Sequence, residues 1–172
     1  MAELDFPEYH HVEGHILDLR SVFLDLHKLL LIFISSHEYS ELCKLDGLEA
    51  LDGLREWEWD EITRILISAS ICGRIELDRE EGSVRDPETN VGFLWPDWSK
   101  PDASIVLTLR ESFNKIIHAR RIRADLEVDK EHEVTYYNNV VYFYGTHKGA
   151  EWRAELLIVD FVAQYFKTLR FA

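Results

Sequence analysis

The sequence predicts a mainly α protein: a bundle of about four principal helices, with a small antiparallel β-hairpin before the last one. Three observations predict it. Apolar residues recur at helical spacing through several long stretches. The only strong period-two run falls between Val134 and Glu155. Strands do not alternate with helices, which disfavours a parallel α/β layout. A chain of 172 residues is expected to form one domain over 1–172.

The first helix is expected over Ile16–Ser35. Ile16, Leu19, Phe23, Leu26, Leu30 and Phe33 fall on one face, and Asp18, Arg20, Asp25 and Lys28 fall between them. Upstream, His11 and His15 would share a helical face at i, i+4. Glu13 comes one place too late for a zincin motif, and Gly14 weakens a helix there. This segment reads as solvated, and no metal set is assigned. No cofactor is assigned either.

Segment 37–61 holds nine acids against Lys44 and Arg55. Leu45-Asp46-Gly47-Leu48 and Leu51-Asp52-Gly53-Leu54 echo each other, and the glycines predict short helices broken by turns. Such a stretch is either a solvated acidic face or a docking surface for a basic protein. Trp57 and Trp59 lie inside it, with Trp59 read as core.

A second helix is expected over Asp60–Cys72 with Gly73 as its C′ residue. Residues 76–90 are charged and poor in apolar residues, and they read as a loop. Val91–Trp98 is densely aromatic, and Pro96 and Pro101 exclude a helix there. It is expected to pack irregularly over the core or to line a groove. Trp95 and Trp98 are the aromatic candidates for stacking on a base.

Ser104–Arg123 reads as the central helix, with Asp102 and Ser104 as N-cap candidates. Ile105, Leu109, Phe113 and Ile116 make its apolar stripe. Arg110, Asn114 and His118 follow one another at i, i+4, i+8 along the edge of that stripe, and Arg121 extends the line. Arg110, Lys115, Arg120, Arg121 and Arg123 face one acid in the segment, Glu111. Cations at a helix C-terminus complement its dipole. The same cluster beside a histidine can also meet a phosphate and move a proton.

Leu109-Arg110-Glu111 followed by Asn114-Lys115-Ile116-Ile117-His118-Ala119 resembles the signature helix of HEPN domains. These are small all-helical bundles. Many are metal-independent ribonucleases of toxin–antitoxin and phage-defence systems. The family pattern is an Arg, a polar residue that is often Asn, three more residues and a His. Asn114 and His118 match it. Phe113 stands where the family carries Arg, and Arg110 is the upstream candidate to replace it. The resemblance implies RNA-directed chemistry, in which His118 helps activate a 2′-hydroxyl and an Arg stabilises the phosphate. With Phe113 in place it implies impaired or altered catalysis in a bacterial or phage-related protein. It also implies a homodimer paired through this helix.

Beyond Arg123 the expected strands are Val134–Tyr137 and Val140–Tyr144, with Asn138-Asn139 as a turn. Gly145–Gly149 closes a hairpin and Ala150–Glu155 returns. Leu157–Leu169 is the final helix.

The formal net charge of −13 disfavours nucleic-acid binding by the whole surface, though not by a local basic site. Cys43 and Cys72 have no CxxC partner and predict reduced thiols in the cytoplasm. The longest apolar run, Leu29–Ile34, is far too short to span a membrane. No Walker A loop, GxGxxG or nucleophile elbow is present. Two function classes stay open: an RNA-directed HEPN-like protein, and a non-catalytic acidic protein of antitoxin or immunity type that covers a basic partner at 37–61.

Overall fold

Period-two patterning runs much further along the chain than the hairpin it suggests. The computed structural model describes residues 19–79, 89–100 and 102–169. In chain order these form α1 (Leu19–Ile34), α2 (Ser36–Leu42), a 3₁₀ turn (Glu49–Gly53), α3 (Leu54–Arg79), β1 (Gly92–Trp95), β2 (Ile105–Val106), α4 (Leu109–Ile117), β3 (Arg121–Asp129), β4 (Val134–His147), β5 (Ala150–Leu157) and α5 (Ile158–Leu169). The strands make one antiparallel sheet in the order β2-β1-β5-β4-β3. The fold is therefore mixed α+β, and the expected four-helix bundle with a minor hairpin is corrected.

The correction has three local causes. The first is the central helix, which is nine residues long rather than twenty. Thr108, not Asp102 or Ser104, is its N-cap, and its hydroxyl accepts the Glu111 N–H at 3.2 Å. Ile105 and Val106 suited the helical stripe by spacing. As β-branched residues they instead pair with Leu94 and Phe93. The helix stops at Ile117, and the Arg120 N–H already donates to the Tyr144 carbonyl at 2.8 Å. Arg121 and Arg123 thus lie on a strand, not on the tail of the helix.

The second cause is Asn138-Asn139, which does not turn the chain back but lies in a bulge of β4, where residues 138–140 stand opposite Asp125 alone. The register with β3 shifts across it, between the pairs Ala124–Val141 and Leu126–Tyr137. There the Asn138 amide donates to Asp125 at 2.5 Å, and Asn139 Oδ1 accepts the Val159 N–H in the first turn of α5. The third is Val91–Trp98, which contributes an ordered strand, β1, beside β5.

The second helix is also longer than expected. Gly73 is interior to α3, and a Cβ there would stand 2.5 Å from Phe113 Cζ and 2.9 Å from Tyr165 Cε2. Its small size, not a left-handed cap, is what the fold uses, because it lets the α4 and α5 rings close on α3.

α1 and α5 match their expected ranges closely within the described residues. The helices pack on the inner sheet face, where Phe143, Trp152, Ala154 and Leu156 meet Leu26, Ile65, Phe113 and Phe161, all at most 3% exposed. Tyr165 donates its buried hydroxyl to the Ala69 carbonyl at 3.0 Å. Arg64 bridges Asp25 and Glu61 at 2.9 and 2.7 Å and so ties α1 to α3.

Expectations that fall on His10–His15, on residues 16–18 and on 80–88 lie outside the described residues. Among those described, no helix is long and apolar enough to cross a membrane.

Candidate nucleic-acid interface

Side chains alternate faces along a strand, so the antiparallel register stacks outward residues into rows across the sheet. One row reads Trp95 (β1), Arg153 (β5), Tyr144 (β4) and Arg121 (β3). The next reads Val106 (β2), Phe93, Glu155, Tyr142 and Arg123. Aromatic and charged residues therefore alternate across the strands. This outer face is open, with Phe93 40% and Trp98 37% exposed.

Arg153 is the hub. Its guanidinium lies 5.0 Å from the Trp95 ring, 4.5 Å from Trp98 and 4.4 Å from Tyr142. It also reaches Glu155 at 3.3 Å, while its Nε is buried without a hydrogen-bond partner among the described residues. Arg121 stacks over Tyr144 at 4.4 Å. Trp95 and Trp98 meet edge to face at 5.7 Å, and the backbone N–H of Trp98 donates to the Glu151 carbonyl at 2.7 Å, which fixes the turn after β1. Burial, with Asp125 and Glu155 nearby, holds the Tyr142 phenol above its ordinary pKa, so it stays protonated.

Beside the rows the surface is concave. A hollow of about 330 Å³ lies between Trp98, Arg121, Tyr144 and Trp152. A second, of about 390 Å³, is lined by Asn114, Lys115, His118 and His147. Arg120 and Trp152 line both, so the two make one trough around the end of the β4–β5 hairpin. Gly145 allows this. A Cβ there would stand 2.3 Å from the Trp152 ring, so only glycine lets the indole lie flat on β4.

The residues singled out in the sequence separate into two groups. Trp95, Trp98, Arg121 and Arg123 lie on or beside the outer face, and Arg120 lines the trough next to it. Lys115 lies 4.7 Å from the Trp152 ring centroid and pairs with Glu111 at 3.0 Å. The line Arg110–Asn114–His118 does not act as a unit. Arg110 pairs with Asp78 of α3 at 2.5 Å. Asn114 Oδ1 accepts from Arg74 at 2.8 Å, and its amide donates to Glu111 at 3.1 Å. Asn114 and His118 share the second hollow without Arg110. Phe113 is fully buried.

Sequence reading missed Tyr142, Tyr144, Arg153 and His147. The signal was present in the period-two runs, where every second residue is aromatic or charged, but it needs the register to become a row. In the acidic segment Trp57 is 74% exposed, whereas Trp59 packs partly against the core. Glu58 is half-buried, and burial raises its carboxyl pKa.

No protein-family model, curated protein or solved structure matches this chain.

Proposed function

We propose that this protein binds single-stranded RNA on the outer face of its sheet and does not cut it. The observation that carries the reading is the row Trp95–Arg153–Tyr144–Arg121, in which flat rings and guanidinium planes alternate across four strands. Aromatic faces stack on any base, and arginines between them meet the phosphates. The trough with Lys115, Arg120 and His118 extends the path for the backbone. The chain's net charge of −13 repels polyanions elsewhere and confines binding to this face. The reading places the protein in the cytoplasm, in keeping with its two free thiols.

Against cleavage, the elements of the HEPN-like motif are otherwise engaged. Arg110 is held by Asp78, Asn114 by Arg74 and Glu111, and Phe113 by the core.

Titrating labelled single-stranded RNA, followed by anisotropy, tests the proposal. Three or four phosphate contacts predict a log K against log salt slope of about −2 to −3. RNA recovered afterwards, with chelator present throughout, is expected to be intact. No saturable binding at low salt would contradict the reading. So would fragments that vanish in His118→Ala.

A second reading keeps one observation of its own. Trp57 stands exposed with Glu56 and Asp60 close by in sequence, and Leu45 and Leu54 are exposed in the same segment. That combination suits an anchor with an acidic rim for a basic protein of the antitoxin or immunity kind.

A further inference from the structure

The far end of β3 from Arg121, about 25 Å along the strand, holds a separate group of side chains. His37 comes from α2, Asp129 ends β3, and His132 lies in the turn to β4. One ligating atom from each lies within 4.8 Å of the other two. His37 Nε2 is 2.9 Å from Asp129 Oδ2, and His132 Nδ1 is 2.8 Å from the same oxygen. Glu41, one turn beyond His37 on α2, puts Oε1 3.4 Å from His132 Nδ1.

We propose that His37, Asp129 and His132 bind a divalent transition metal of the zinc class, with Glu41 as the fourth donor. Two imidazoles with carboxylates suit zinc, copper or nickel and not the all-oxygen preference of calcium or magnesium. Tetrahedral donors about 2.0–2.1 Å from a zinc ion stand about 3.3 Å apart. The two ring–carboxylate contacts would open by about half an ångström, and the two ring nitrogens, within 4.8 Å of each other, would draw toward that spacing, as the ion replaces the proton between each ring and the carboxylate.

The donors are held from behind, as metal ligands usually are. Asp129 Oδ1 accepts the backbone N–H groups of Glu131 and His132 at 2.8 and 3.3 Å, which leaves Oδ2 to the rings. The edge of His37 packs at 4.8 Å on Tyr136, whose hydroxyl donates to Glu127 at 2.7 Å. Lys44 donates to the carbonyls of His132 and Glu133 and fixes the turn against α2. The His132 side chain is half exposed, so an ion can enter from solvent. A bound ion would lock α2 to the β3–β4 turn, joining segments 92 residues apart.

Calorimetric titration of the full chain with zinc chloride tests this, with thermal unfolding in zinc and in chelator alongside. The expected result is one ion per chain and a midpoint raised by zinc. His37→Ala and His132→Asn should each weaken binding by about tenfold or more. His132→Asn, in the exposed turn, keeps the result readable if His37→Ala does not fold. His11→Ala/His15→Ala and His118→Ala should bind as the parent does. No heat with the parent protein would overturn the proposal. So would binding that survives both site variants, or that is lost in His11→Ala/His15→Ala.

Discussion

Phe113→Ala is expected to cost about 3–5 kcal/mol, as truncation of a fully buried aromatic does. For a chain of this size that lowers the thermal midpoint by about 6–20 °C. The side chain is inaccessible to solvent. Its ring meets Phe161 at 6.0 Å and Tyr165 at 5.6 Å, both near edge to face, and it closes over Gly73 of α3. Truncation would leave a cavity where α3, α4 and α5 join, and the neighbouring rings cannot all collapse into it. Chemical denaturation with an unchanged m-value would show that stability alone has moved. A loss below about 1 kcal/mol would mean that α4 does not pack as described.

The second large effect concerns the outer face. Trp95→Ala and Tyr144→Ala each remove one stacking platform. Each is expected to cost about 1–3 kcal/mol of RNA affinity, a loss of roughly 5- to 150-fold. The two lie in one row on either side of Arg153, a neighbour they share, so the double variant is expected to lose more than either single variant without the losses simply adding. Their stability should change far less than that of Phe113→Ala, since both rings reach solvent. Anisotropy with the same RNA measures the loss, and Lys130→Ala, at the far end of β3, serves as the control. Retained affinity in the double variant would move the binding site off the sheet.

The helices were largely legible because their apolar stripes are set by local spacing. Leu26 and Phe113 are placed by period alone, and each is buried. The sheet was less so. Arg121-Ile122-Arg123-Ala124 alternates as a strand should, yet directly after a helical stripe it read as a basic helix terminus. What decides is non-local: Ile122 pairs with Phe143 and Arg123 with Tyr142, about twenty residues away. Asn138-Asn139 carries turn chemistry that the fold spends on side-chain bonds to Asp125 and to the start of α5.

The site was half legible for the same reason. Trp95, Trp98, Arg121 and Arg123 were singled out by residue type, and it is the register that gathers them. Arg153, at the centre, sits in a return strand where nothing local distinguishes it. Helical spacing aligns Arg110 with Asn114 and His118. Asp78, on a helix distant in sequence, holds it instead. His37, Asp129 and His132 could not be grouped from spacing at all.

Photocrosslinking of 4-thiouridine RNA to the parent protein, with the modified residues mapped by mass spectrometry, tests the central claim most directly. The account predicts crosslinks at Trp95, Trp98, Tyr142 or Tyr144, competed away by unlabelled single-stranded RNA. Crosslinks confined to Trp57 and the 37–61 segment, or none above background at saturating RNA, would contradict it.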